Sequence, residues 1–364
     1  MAISLTTSIK RLLNLLPSRV KVQTYYVGDD RPVFVIAEIG NNHNGDFELA
    51  KEMILAAKES GADAVKFQKR DIQELLSKEM REMPYVNERS FGKTYGEHRE
   101  KQELTKEQFA ELKDYSESLG LVFFATPFDK ASADALEAIG VHAYKIASFD
   151  VTNLPLLEYI AKKGKPMLLS TGASTLEEID KAVETILSHN NLLIINHCTS
   201  MYPTPDENID LNMVRILKER YWPLPVGYSG HEPDILPTVA SIGLGARTVE
   251  RHFTLDKKMY GSDHHMSIEP KEFAEMVGQI RRMERVLGSS EKRIHDAEMP
   301  IRHKHAKSIV SAKNIPAGAT ISADILTYKS PGNGISPALV ATVIGKRAKV
   351  AIPADTVILE KFLE

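Results

Sequence analysis

Short runs of apolar, largely β-branched residues recur along the first 290 positions. They fall at 33–39, 64–67, 121–125, 142–146, 167–169, 192–195, 225–227 and 247–249. Between them the apolar residues take helical spacing, near 47–60, 105–119, 131–139, 154–163, 175–188, 211–220, 235–243 and 271–287. Capping signals support these starts. Asp46 precedes the first helical pattern, and Thr105 with Gln108, and Thr175 with Glu178, have capping-box spacing. Eight strand-then-helix units with short continuous apolar strands predict a parallel sheet covered on both faces. Their total length is that of a (β/α)8 barrel. A doubly wound open sheet is the alternative, but it requires a glycine-rich phosphate turn after the first strand, and Gly40–Gly45 (GNNHNG) matches that poorly.

Three segments break the alternation. Residues 69–104 form a long charged insertion after the second strand, at the catalytic mouth of such a barrel. Residues 289–306 are polar and basic and read as a linker. From 307 to 364 the segments shorten and turn pairs such as Pro316–Gly318 and Pro331–Gly334 punctuate them, which predicts a small β-rich domain. The resulting organisation is an arm at 1–30, a barrel at 31–288, the linker, and the small domain. A domain of that size is marginal alone, so it is expected to lean on its own barrel or on a partner.

Composition alters this picture little. The 364 residues are 43% hydrophobic and 26% charged, an ordinary globular balance. A net charge of −3 provides no global field for nucleic acid or a membrane, so a small anionic substrate would need a local cluster of Lys and Arg. The single cysteine, Cys198, precludes an intrachain disulfide and fits a reducing cytoplasm; it reads as a buried structural thiol. The stretch SIKRLLNLLPSRVK is short, interrupted by Asn14 and ended by Pro17, and reads as an amphipathic arm and not a leader.

In a (β/α)8 enzyme the working groups sit at the carboxyl ends of strands. Here those ends carry, in order, Glu38; Lys66 and Gln68; Thr126; Lys145, Ser148 and Asp150; Ser170 and Thr171; His197, Thr199, Ser200 and Tyr202; Ser229 and His231; and Glu250 and His252. A packed core alone would not require a polar group at every end. Lys66 and Lys145, with the hydroxyls of Thr126, Ser148, Ser170 and Ser229, can receive a carboxylate and a phosphate; a Schiff-base role for one lysine and a plain salt-bridged role are the alternatives. His231 and His252 end adjacent strands and can meet at one divalent ion, with Glu38, Glu250 and Asp263 nearby to complete or orient the sphere; two hydrogen-bonded structural histidines are the competing reading. Asp263 can bind a sugar hydroxyl or belong to a helix start. His43 and His98 read as loop surface residues of secondary interest.

Taken together, FVIAEIGNNHNGD, ADAVKFQK, ATPFD, AYKIAS, LSTG, HCTSMYPTP, VGYSGHE, VERHFTLD and GSDHHMSIEP resemble the sialic acid synthases, and SIVSAKNIPAGATIS with SPGNGIS resembles their antifreeze-like (SAF) domain. The resemblance runs in order from residue 20 to 364. It implies a (β/α)8 barrel followed by a β-clip SAF domain, a domain-swapped homodimer, and condensation of phosphoenolpyruvate with N-acetylmannosamine or a related N-acylated hexosamine. It implies Mn2+ or Mg2+ at His231 and His252. Phosphoenolpyruvate contacts are implied at Lys66, Thr126, Lys145, Ser148, Ser170, Ser229 and His231, a catalytic carboxylate at Glu38, and sugar contacts at Gln68, Tyr202 and Asp263. Asp150 and Ser200 join the substrate-binding set by their strand-end positions. Two departures stand out: Ser330 occupies the place of an acyl-sensing Arg, and Ser200 that of an Asn frequent in bacterial members. GYSGHE and SFGKTYGEH resemble the animal enzymes, which act on a 6-phosphorylated sugar; Arg70, Lys93 and Arg99 are the candidate cations for that phosphate.

Overall fold

A computed structural model describes residues 5–86 and 88–364; positions 1–4 of the expected arm lie outside the described residues. Chain contacts divide it into two units, Met1–Gly288 and Ser289–Glu364.

The first unit is a closed eight-stranded parallel barrel. After a hairpin of β1 (Arg19–Val22) and β2 (Tyr25–Gly28), the barrel strands are β3 (Phe34–Gly40), β4 (Ala64–Lys69), β5 (Val122–Pro127), β6 (Tyr144–Ile146), β7 (Met167–Ser170), β8 (Leu193–Cys198), β9 (Val226–Gly230) and β10 (Thr248–His252). Each pairs in parallel with the next, and β10 closes onto β3 with Thr248 opposite Phe34 and His252 opposite Glu38. Helices follow the strands as the spacing predicts. Asp46 caps Phe47–Glu59 by accepting from the amides of Glu48 and Leu49, and full capping boxes start Lys106–Ser118 and Leu176–Leu187.

Side-chain alternation sorts the strands into two cores. Phe34, Ile36, Ala64, Val122, Phe124, Ala143, Leu168 and Ile194 pack together inside the barrel, while Val35, Ala37, Val65, Phe123, Tyr144, Leu169 and Ile195 join the larger core with the helices. The hairpin belongs to the inner core. Its Val20, Val22 and Val27 are fully buried there, so the segment read as an arm contains a stopper for the amino end of the barrel. Val20 and Val22 at alternate positions, with Val27 opposite Val20, offset by their burial the order imposed on so short a hairpin.

The insertion after β4 is ordered around short helices Ile72–Leu75, Lys78–Glu82 and Tyr95–Glu100. It docks on the loop after β10: Tyr260 donates to the Ser90 carbonyl at 2.7 Å and stands edge-on to Phe91.

The second unit begins with exposed helix Met299–His305 and pairs β11 (Ser308–Ser311) with β12 (Leu326–Lys329). Isolated bridges extend the pairing, Val310 with Val357, Ile315 with Ile352 and Ala348 with Leu363. Ile309, Ile315, Ile321, Ile352 and Ile358 anchor its own core.

Candidate active site

The alternation that buries Phe34 and Ile36 in the barrel also turns Glu38 inward, two residues further along β3. The same step brings Lys66 on β4, Lys145 on β6, Ser229 on β9 and Glu250 on β10 to one level. Lys66 Nζ lies 2.8 Å from Glu38 Oε1 and 3.5 Å from Glu250 Oε1, and Lys145 Nζ is also 3.5 Å from Glu250 Oε1. Thr126 Oγ1 accepts from Lys66 at 3.2 Å, and Gln68 Nε2 donates to Glu38 Oε1 at 2.7 Å. All four charged residues are at most 4% exposed. Glu250 is therefore the hub of the site, a role its sequence position, read as a metal neighbour, did not reveal.

Burial acts differently on the two carboxyls. Withdrawal from water pushes Glu38 up, with Lys66 opposing and Glu250 reinforcing the shift. Glu250 meets the same burial, but Lys145 and Lys66 outweigh it and hold it below the usual carboxylate range. The lysines split likewise. Burial lowers Lys145, whereas Glu250 and Glu38 overcome burial at Lys66 and raise it. Glu38 Oε2 and Glu250 Oε2 are buried without a hydrogen-bond partner among the described residues. Such atoms are costly unless something else satisfies them.

Hydroxyls gather beside this cluster. Gly172 donates its amide to Ser148 Oγ at 3.0 Å, and a side chain at Gly172 would meet Ser200 Oγ at 2.3 Å and Ser148 Oγ at 2.9 Å. Glycine is thus required for the loops after β6, β7 and β8 to converge. The buried hydroxyls of Ser170 and Ser200 also lack partners among the described residues.

His231 and His252 face each other with ring centroids 5.4 Å apart, and the Tyr202 ring lies 4.1 Å from that of His231. His231 Nδ1 is 2.8 Å from the Thr199 carbonyl, so Nδ1 carries a proton and Nε2 is the ring nitrogen left to face a metal. Burial lowers His252 to about 3, keeping it neutral, and its Nδ1 is buried without a partner among the described residues. His231 differs: burial lowers it, but Cys198 and the Thr199 carbonyl outweigh burial and raise it above the usual imidazole value. A divalent ion would displace a proton from its Nε2, and imidazole nitrogens are suitable metal donors. Among the described residues no group of three or more His, Cys, Asp or Glu is arranged to hold a metal ion. A metal here would take two ligands from the chain and the rest from water or substrate, as open catalytic sites do. Cys198 is buried as expected, 3.9 Å from His231 Nδ1. Asp263 is half-buried, accepts from Ser262 at 2.6 Å, and is held low by His252 against the effect of burial.

Other candidates make no direct contact with the charged cluster, Arg70 reaching it through Gln68. Asp150 accepts from Asn153 at 3.1 Å within its own turn. Arg70 is buried and committed to Asn41 at 2.9 Å, Glu103 at 3.3 Å and Gln68. Lys93 is exposed, and Arg99 is half-buried against Tyr95 and Gln102. His43 and His98 are not surface residues. Both are buried, His43 beside Phe67 and His98 among Tyr85, Phe91 and Tyr95. In the second unit, Ser330 donates to the His305 carbonyl and accepts from Lys307. No helix among the described residues is long and apolar enough to cross a membrane.

Residues 53–292 match the NeuB family and residues 306–364 the SAF domain. The chain is 39% identical to the N-acetylneuraminate-9-phosphate synthase of Mus musculus over 97% of both chains. It is also 39% identical to the N,N'-diacetyllegionaminic acid synthase of Legionella pneumophila, over 93% of this chain and 96% of that one. The crystal structure of N-acetylneuraminic acid (sialic acid) synthetase from Leptospira borgpetersenii serovar Hardjo-bovis, in complex with citrate, superposes with a TM-score of 0.69 at 33% identity, over 78% of this chain and 94% of that one.

Proposed function

Because this chain belongs to the NeuB family of phosphoenolpyruvate-dependent sialic-, legionaminic- and pseudaminic-acid-type synthases, we propose that its own reaction joins phosphoenolpyruvate to N-acetylmannosamine or its 6-phosphate. C3 of phosphoenolpyruvate bonds to the aldehyde carbon of the open-chain sugar. Water adds at C2, and the bond from C2 to the phosphate oxygen breaks.

The observation that carries this reading is the buried cluster of Glu38, Lys66, Lys145 and Glu250 beside unsatisfied serine hydroxyls. Lys66 and Lys145 neutralise the carboxylate and phosphate of phosphoenolpyruvate, and Ser148, Ser170 and Ser200 around Gly172 cradle the phosphate. Glu250 stays ionised and keeps both ammonium groups in place. Glu38, with its pKa raised, holds a proton on Oε2 and delivers it to the aldehyde oxygen as the new bond forms; two carboxyls pushed apart in pKa suit such a division of labour. Metal dependence is general in the family. His231 and His252 would hold the ion, Mn2+ or Mg2+, which as a Lewis acid polarises the aldehyde. Tyr202, Gln68 and Asp263 line the sugar side.

The 6-phosphate is favoured by Arg99 and by the buried donors His98 Nε2 and Gln102 Nε2, which lack partners among the described residues. The mouse relative is a 9-phosphate synthase by name, in line with that choice. The SAF unit serves the mouth of a second copy in a homodimer, which size-exclusion chromatography with light scattering tests. The deciding experiment is a panel of N-acetylmannosamine, its 6-phosphate and diacetamido sugars, each with Mn2+ and with EDTA, read as phosphate release from phosphoenolpyruvate. If no sugar drives release, the reading fails.

A further inference from the structure

His231 and His252 each have a charged neighbour in sequence, Glu232 and Arg251, and these two lie on the opposite side of the sheet from the site. Both are 1% exposed or less. Arg251 NH1 reaches Glu232 Oε1 at 3.0 Å, the Asp234 carbonyl at 2.7 Å and Thr238 Oγ1 at 3.0 Å, while NH2 donates to the Glu232 carbonyl at 2.5 Å. The carboxylate is filled from its other side: Thr238 donates to Oε1 at 2.7 Å and Tyr228 to Oε2 at 2.8 Å. Gly230 leaves the space for it, since a side chain there would meet Glu232 Oε2 at 2.4 Å.

We propose that Glu232 and Arg251 are positioning residues, a buried clamp behind the sheet that sets the separation of His231 and His252 for a divalent cation. The inference rests on the metal reading given above. The last register pair of β9 and β10 is Gly230 opposite Arg251, one residue before each histidine. Beyond it, no strand pairing extends to His231. Arg251 replaces that missing ladder. Its planar fork seizes the carboxylate and the main-chain carbonyl of Glu232 together, so the residue that follows His231 is tied to the residue that precedes His252. A buried ion pair is poor evidence of stabilisation in itself. Its worth here is directional, because two donors meet one ion only when their backbones are fixed.

The test is a Mn2+ titration followed by the electron paramagnetic resonance signal of free Mn2+, with phosphoenolpyruvate binding measured in parallel. Arg251→Lys keeps the charge but loses the fork, and its Mn2+ Kd is expected to rise about 10- to 100-fold, the range typical for groups that orient metal ligands. Phosphoenolpyruvate affinity without metal should stay at the wild-type value. Should that variant not fold, Tyr228→Phe combined with Thr238→Val strips two donors from Glu232 without stranding a charge, and its Mn2+ Kd is expected to rise about tenfold. Folded variants that bind Mn2+ as tightly as wild type overturn the clamp alone. A wild-type protein that binds Mn2+ no better than the His231→Ala/His252→Ala double variant overturns the metal reading, and the clamp with it.

Discussion

Glu38 and Lys66 are register partners on β3 and β4, and their side chains meet inside the barrel at 2.8 Å with both residues withdrawn from water. Glu38→Gln preserves the shape and the contact with Lys66 but removes the exchangeable proton. Its kcat is expected to fall by about 10²- to 10⁴-fold, the usual worth of a positioned acid, with Mn2+ affinity retained. Phosphate-release kinetics with a parallel metal titration check this, and unchanged turnover removes Glu38 from the mechanism.

Lys145 shares Glu250 with Lys66 but, among the described residues, has no other carboxylate within salt-bridge distance. Lys145→Met should therefore weaken phosphoenolpyruvate chiefly by losing one charge-assisted contact, worth about 2 kcal/mol or roughly 30-fold in Kd. Isothermal titration calorimetry with phosphoenolpyruvate measures it directly.

Metal removal separates the two halves of the site. EDTA should abolish turnover in the wild type, with recovery on adding Mn2+. His231→Ala and His252→Ala should each lower kcat/KM by about 10³-fold without recovery, given several kcal/mol from Lewis-acid stabilisation. Recovery of either variant at ordinary Mn2+ concentrations would show that its imidazole is not a ligand.

Buried neutral histidines make the fold sensitive to acid. Burial lowers His43 from 6.5 to about 4. Between those values the unfolded chain binds the extra proton, so stability is full above about pH 6.5 and falls as the pH drops toward 4. The loss from this residue approaches about 3 kcal/mol at the lower limit. Urea unfolding at pH 7 and pH 5 should show the decline, and His43→Gln should lessen it, the remainder coming from other buried histidines such as His98 and His264.

The hairpin stopper predicts stability without activity. Val22→Ala removes two buried methyl groups from the inner core, at a cost of about 2 kcal/mol. The urea midpoint should fall, while kcat/KM at the far end of the barrel stays at the wild-type value.

Much of this architecture is legible in the chain. The barrel strands announce themselves because each is buried on both faces, and Asp46, Thr105 and Thr175 mark helix starts by local hydrogen bonding alone. Pairings distant in sequence are not legible. Arg70 reads as a cation awaiting phosphate until Glu103 and Asn41 are seen to hold it. Glu250 reads as a metal neighbour until both lysines converge on it, and Val20 and Val22 read as part of a loose arm until the barrel surrounds them. His98 looks like a loop residue because its cage of Tyr85, Phe91 and Tyr95 follows neither a helical nor a strand period. For Arg70, Glu250 and the valines the decisive partner lies far along the chain, where neither period nor cap records it.

The inner core of Phe34, Ile36, Val122, Phe124, Leu168 and Ile194 does more than fill volume. It lies directly beneath the interacting side chains of Glu38, Lys66, Lys145 and Glu250 and acts as an insulating floor. Fields among Glu38, Lys66, Lys145 and Glu250 are strong because nothing polarisable underneath dissipates them. Reactivity in this barrel is thus governed partly by residues that never touch a substrate. A hydroxyl introduced into that floor, as in Ile194→Thr, would act like a leak in a capacitor, drawing the two carboxyl pKa values back toward each other while every contact in the site stayed in place.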